Sequence, residues 1–301
     1  MLRPLTAPLA AAWILFGLFG AWTYGHGYWT NRGFPPPVNP PGVAAGHLQR
    51  VSLFSPSLHR RDSYTIYLPP GYAAAARRGR RFPVLYVLHG SPGGTKLFFT
   101  AGRLGVDLDT LVARGAIKPF IVVLPSGSDG TYLSDTEWAN TAHGAYESYV
   151  MDVVHAVDAR WATIPKRSAR AIAGNSEGGY GAVNLALRHL KAFSLAQSWS
   201  GYFTQTRTGV FANATPAALA AASPQLYVST LRRALARHPL HAVLVGGAQD
   251  PDTRQLAPFA ATLRAAGGTV RAVVRPGRHD WRLWRLEMPA MLRSVGATLR
   301  P

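Results

Sequence analysis

A chain of 301 residues, 48% hydrophobic and 11% aromatic, is long and apolar enough to bury one substantial core. That excludes a disordered protein and favours one large domain with a terminal extension over two full domains. The absence of cysteine excludes disulfides, thiolate metal sites and cysteine nucleophiles. With 32 Lys and Arg against 14 Asp and Glu, the formal charge of +18 favours anionic partners: lipid headgroups, acidic wall polymers or nucleic acid.

From Ala7 to Tyr24 the chain reads APLAAAWILFGLFGAWTY, and no charged residue occurs between Arg3 and Arg32. Roughly 20 helical residues cross a hydrocarbon core. Residues 1–24 are therefore expected to form an uncleaved transmembrane anchor, with a cleaved signal peptide as the alternative. The cluster Trp22, Tyr24, Tyr28 and Trp29 has the character of an interfacial belt, and Arg3 on the short side orients the long domain outside the cytoplasm. Residues 25–46, with Pro35-Pro36-Pro37 and Pro40-Pro41, read as a semi-rigid tether that spaces a domain from a membrane.

Two alternating stretches follow, 47–55 and 62–69, with the pattern of an antiparallel strand pair. The pattern then changes to short apolar runs at 83–90, 119–125, 169–174, 193–201, 241–247 and 269–277. Helix-length segments separate them at 103–115, 143–161, 177–190, 253–266 and 281–299. Such alternation predicts an α/β fold with a mostly parallel central sheet, helices on both faces, and ligands at the carboxyl ends of the strands. Residues 202–239 break the rhythm and are a candidate cap insertion, and Ala73 to Arg81 reads as a surface loop.

Ser176 lies in Gly174-Asn-Ser176-Glu-Gly178, between a strand-like ARAIAG and a helix-like EGGYGAVNLALRHL. This is the context of a nucleophile elbow, in which a serine is presented on a tight turn from strand to helix. A serine hydroxyl needs a histidine to take its proton and a carboxylate to orient that histidine, and on this fold they follow in the order Ser, acid, His. Between Ser176 and His279, the last histidine, the acids are Glu177, Asp250 and Asp252. Glu177 belongs to the elbow, which leaves Asp250 or Asp252. Asp250 is favoured as the first off its strand, while Asp252 has the position of a helix cap. Backbone N–H groups of Glu177 and of Ser91, in the loop HGSPGG after the strand PVLYVL, are the expected oxyanion donors.

Together these pieces resemble the α/β-hydrolase "putative esterase" family, which includes S-formylglutathione hydrolases, feruloyl esterases, enterochelin esterases and mycolyltransferases. The matching pieces are YLPPGY (67–72), PVLYVLHG, Trp138 with Tyr146-Glu147, GNSEGGYGA, SWSG, GAQD and GRHDWRLW. The resemblance implies Ser176 as nucleophile, Asp250 as acid and His279 as base. Many members carry an apolar residue where this chain has Glu177. Its carboxylate either favours the positive helix end or faces the pocket, and Trp138 and Glu177 stand as candidate substrate contacts.

The leading expectation is a serine esterase. An acyltransferase of the mycolyltransferase type would use the same triad, and a non-catalytic polyanion-binding module would use only the scaffold. An ester of a membrane lipid or cell-envelope component fits the anchor and the charge, and the loops 126–142 and 202–239 are expected to shape the pocket. No cofactor, metal or nucleic-acid partner is expected. GxGxxG, the P-loop pattern and HExxH do not occur, the arginines are scattered, and His143, Asp152 and His155 read as residues of a surface helix with Tyr146 and Tyr149 packed inward.

Overall fold

Alternation within each apolar run decides the layers of this molecule. The computed structural model describes residues 6–131 and 135–300. The amino-terminal helix α1 (Thr6–Asn31) precedes an antiparallel pair, β1 (His47–Ser55) and β2 (Arg60–Leu68). Next come helix α2 (Tyr72–Arg77), strand β3 (Val84–Leu88), helices α3 (Thr95–Phe99) and α4 (Leu104–Ala113), and strand β4 (Ile121–Pro125). A two-residue hairpin, β5 (Asn140–Thr141) and β6 (Gly144–Ala145), leads into α5 (Tyr146–Arg160). The chain continues through β7 (Arg170–Asn175), α6 (Glu177–Arg188) and β8 (Leu195–Trp199). Three short helices, α7 (Pro216–Ala221), α8 (Pro224–Tyr227) and α9 (Arg232–Arg237), precede β9 (His241–Gly247), α10 (Leu256–Ala265), β10 (Thr269–Arg275) and α11 (Trp281–Thr298).

Eight strands form one sheet in the order β1-β2-β4-β3-β7-β8-β9-β10. β1, β2 and β4 pair antiparallel, and β4 through β10 pair parallel. Successive strand side chains point to opposite faces. Val84, Tyr86 and Leu88 join α5, α6 and α10 in one core, whereas Leu85 and Val87 join α4 and α11 in the other. A strand buried on both faces must be apolar at every position, and β3 and β4 are.

Three expectations change. Residues 73–77 are helical rather than loop, because the alanine run after the left-handed Gly71 has high helix propensity. α1 continues through residues 25–31, since Gly25 and Gly27 only weaken a helix, and it stops where Arg32 and Gly33 both take positive φ (53° and 82°) ahead of the prolines. Among the described residues no helix is long and apolar enough to cross a membrane, so the expected spanning anchor is not supported. The second half of α1 supplies Gly, Trp, Tyr and His, which dilute its hydropathy.

The proline-rich stretch is not a free spacer either. Asn39 Nδ2 donates to Asp109 Oδ2 at 2.9 Å and the Gly46 N–H to Asp109 Oδ1 at 3.0 Å, while the buried Tyr67 hydroxyl also donates to this carboxylate. Thr100 Oγ1 holds the Thr30 carbonyl at 2.5 Å, and the Arg285 guanidinium lies 4.6 Å over the Phe34 ring. Asp109→Ala would strand three donors at once, so we expect a loss of about 2–3 kcal/mol in urea denaturation and faster proteolytic cleavage within residues 32–46.

Candidate active site

The residues that could do chemistry gather at the carboxyl ends of β3, β7, β9 and β10. Ser176 stands between β7 and α6 with φ 55° and ψ −125°, a conformation that L-residues adopt only when their surroundings impose it. Those surroundings are tight. A Cβ at Gly174 would lie 2.2 Å from the Gly178 carbonyl oxygen, and one at Gly178 would lie 2.1 Å from that of Leu88. Glycine at both positions lets strand and helix meet closely enough to lift the serine into the open.

His279 follows β10, and its Nε2 is 2.8 Å from Ser176 Oγ. Its Nδ1 is 3.1 Å from Asp250 Oδ2, and Asp250 is buried in the turn after β9. The imidazole also meets Trp284 edge-on at 5.3 Å, while Trp284 Nε1 donates to Ser200 Oγ at 3.0 Å. Next to it, Asp280 caps α11 by accepting from the N–H groups of Arg282 and Leu283. Both neighbours fix the ring.

The expectation that Asp252 caps a helix is reversed. Asp250 itself accepts the Asp252 N–H through Oδ1 at 3.0 Å, leaving Oδ2 for the histidine. Asp252 is half-buried with its carboxylate 3.8 Å from His279 Nδ1, and burial raises its pKa. Asp250, Asp252 and His279 are also the one group of three potential metal ligands among the described residues, with their ligand atoms within 4.8 Å of one another. Because His279 turns its other nitrogen to Ser176, the set has the geometry of a proton relay from a hydroxyl. His143, by contrast, is not in the expected helix with Asp152 and His155: it precedes β6, while Asp152 of α5 accepts from Ser55 Oγ at 2.6 Å.

Ser176 and His279 open into a cleft of about 500 Å³, lined also by the loop from His89 to Gly94. Ser91 is on its wall. The Glu177 N–H, in the first turn of α6, has no carbonyl partner within the helix and belongs with the donors at the positive helix end.

Neither of the expected substrate contacts lines this cleft. Trp138 is fully buried and donates from Nε1 to the His89 carbonyl at 2.9 Å, so it braces the loop after β3 from behind. The Glu177 side chain is turned inward, where Oε1 accepts the N–H and Oγ1–H of Thr136 at 3.1 and 3.2 Å. Burial, reinforced by the nearby Glu137 carboxylate, raises its pKa well above the usual range.

The segment 202–239 does not roof the cleft either. Tyr202 and Gln205 donate to the Glu137 carboxylate at 2.7 and 2.8 Å, and Phe203 stacks on Phe259 of α10 at 4.0 Å. In its place the cleft takes Tyr28, Arg32 and Phe34 from the amino-terminal segment. Sequence reasoning missed these residues, because the proline run reads as a spacer.

The mostly parallel sheet and the strand–Ser176–helix turn give an α/β-hydrolase-like fold. The family model described as "Putative esterase" matches residues 55–295, and the chain belongs to that family. An endo-1,4-beta-xylanase/feruloyl esterase of Xylanibacter ruminicola is 30% identical over 149 residues, covering 49% of this chain and 20% of that protein. An esterase of Mycobacterium tuberculosis is 33% identical over 139 residues, covering 45% of this chain and 28% of that protein. The match thus spans less than a third of either relative. A ferulic acid esterase structure superposes with a TM-score of 0.75 at 24% identity, covering 84% of this chain and 99% of that one. An S-formylglutathione hydrolase from Agrobacterium tumefaciens gives 0.70 at 13% identity, with coverages of 89% and 100%. These two likenesses carry the fold.

The buried acids beneath the elbow give a pH dependence. Burial raises Glu137 from its ordinary value of 4.5 to about 7. Between those values the unfolded chain has lost the proton and the folded chain keeps it, so stability falls as pH rises through that interval and then levels off. In urea denaturation across pH 4.5–7.5, we expect Glu137→Gln to remove on the order of 2 kcal/mol of this decline.

Proposed function

We propose that the protein is a serine esterase that hydrolyses carboxylic esters through an acyl-Ser176 intermediate. The observation that carries this reading is His279 bridging Ser176 Oγ at 2.8 Å and the Asp250 carboxylate at 3.1 Å at the mouth of one cleft. Ser176 Oγ attacks the ester carbonyl carbon while His279 Nε2 takes its proton, and Asp250 stabilises the imidazolium. The N–H groups of Glu177 and Ser91 receive the negative charge that forms on the carbonyl oxygen. His279 then protonates the departing alkoxide. Water, deprotonated by the same nitrogen, attacks the acyl carbon, and the acid leaves as Ser176 regains its proton.

The experiment is reaction of the full chain with a fluorophosphonate probe, alongside turnover of 4-nitrophenyl esters. Ser176→Ala should abolish labelling and reduce turnover at least about a thousandfold, as should His279→Ala. Asp250→Asn should cost about a hundredfold or more and Asp252→Asn only a few-fold. Equal losses at the two aspartates would reassign the acid, and labelling that survives Ser176→Ala would overturn the reading.

We further propose that α1 holds the enzyme at a lipid surface, with the catalytic domain outside the cytoplasm. Leu9, Trp13, Ile14, Phe16 and Phe19 are exposed by 60% to 72%, and an apolar surface of this kind asks for a partner. Flotation with vesicles of phosphatidylglycerol and phosphatidylcholine should carry the full chain upward and leave a chain lacking residues 1–24 at the bottom. Equal behaviour of the two would count against it.

A further inference from the structure

The cleft around Ser176 is not built by the hydrolase domain alone. Tyr28, at the end of α1, and Arg32 and Phe34, just beyond it, stand on the same wall as Pro92, Gly93 and Leu97. The segment is held in several ways. The Arg32 N–H donates to the Tyr28 carbonyl at 2.6 Å, Thr100 Oγ1 donates to the Thr30 carbonyl, and the Arg285 guanidinium covers Phe34. Further along, Asn39 and Gly46 bind the Asp109 carboxylate, so the segment is fixed to the domain at both ends.

Arg32 is the cation this segment brings to the cleft. Its guanidinium carbon lies 5.0 Å from the centre of the Trp29 ring, and its buried Nε has no hydrogen-bond partner among the described residues. Arg32 also lines an adjoining cleft of about 300 Å³ that includes Lys96. The remaining charged lining is Arg282, Asp280 and His279. Asp280 Oδ1 is engaged by the N–H groups of Arg282 and Leu283, and the two arginines, Arg32 and Arg282, outnumber this one carboxylate in the cleft lining. Such a space favours negative charge, and a guanidinium offers planar, paired donors suited to carboxylate or phosphate oxygens.

We infer that the amino-terminal segment completes the active-site cleft and that Arg32 selects ester substrates carrying an anionic group, a carboxylate or phosphate, close to the scissile bond. This rests on the serine-esterase reading of the site and adds to it the charge class of the substrate. The serine and histidine carry out the chemistry on any ester that reaches them, while Arg32 decides which ones are held there.

The test compares kcat/KM of the full chain on three chromogenic esters. One is neutral 4-nitrophenyl butyrate, one is 4-nitrophenyl hemisuccinate with its charge on the acyl side, and one is 3-carboxy-4-nitrophenyl butyrate with its charge on the alcohol side. Arg32→Gln should lower turnover of at least one anionic ester about tenfold while the neutral ester stays within twofold. The ester affected tells which side of the scissile bond faces Arg32. Arg207→Gln removes an exposed arginine outside the cleft lining and should leave the ratios within twofold. The inference is overturned by unchanged anionic-to-neutral ratios in Arg32→Gln, by equal losses on all three esters, or by an equal shift in Arg207→Gln. If the unaltered chain turns over none of the esters, or Ser176→Ala retains activity, the esterase reading itself has failed.

Discussion

The turn at Ser176 is the constraint on which the rest of the site depends. A non-glycine residue at φ 55° and ψ −125° costs roughly 1–3 kcal/mol, and the structure holds it there by surrounding it with fixed backbone. The Ser176 N–H donates to the Trp199 carbonyl at 2.8 Å, and the N–H groups of Gly179 and Tyr180 return to the Ser176 carbonyl at 2.8 and 3.0 Å. The serine can therefore neither relax into the strand nor join the helix. Its hydroxyl is left standing above the sheet, within reach of a histidine that arrives from three strands away.

The same turn explains Glu177. The side chain immediately after the elbow is turned inward beneath the loop that carries Thr136, Glu137 and Trp138. In that position an ionised carboxylate is costly, and burial pushes its pKa upward. Glu137 stands nearby at the positive φ of 49°, supported by Tyr202 and Gln205, and Trp138 follows at 47°. Two strained residues and two raised acids thus form the floor under the Ser176 turn. The segment 202–239, expected as a cap insertion, is tied to that floor through Tyr202 and Gln205.

What was legible in the sequence follows from which interactions are local. Strand alternation, the glycines of the elbow and the late His279 write themselves into short windows, so the eight-stranded sheet and the Ser176–His279–Asp250 meeting could be read in advance. That Asp250 would stand nearer His279 than Asp252 does followed from its place first off the strand, although the capping role fell to Asp250 as well. The burial of Trp138 and Glu177 was not, because a polar or aromatic residue near a catalytic turn has the same pattern whether it faces a cavity or the core. The amino-terminal segment was misread for a related reason. Prolines announce an extended chain and say nothing about what that chain lies against, and its partner Asp109 is 70 residues away from Asn39.

That long-range attachment changes what the uncharged helix does. A free tether would let the domain move independently of α1, and nothing in α1 would then bear on which esters reach Ser176. With residues 28–46 fixed to the domain by Thr100, Arg285 and Asp109, the end of α1 and the mouth of the cleft form one surface. Whatever surface the exposed apolar side chains of α1 meet is therefore held at a constant position relative to Ser176. The strong net positive charge acts in the same direction, since it concentrates anionic molecules near the domain at long range while only the cleft wall discriminates among them at contact. On the reading proposed above, substrate selection depends on the stretch that composition alone would have dismissed as a spacer.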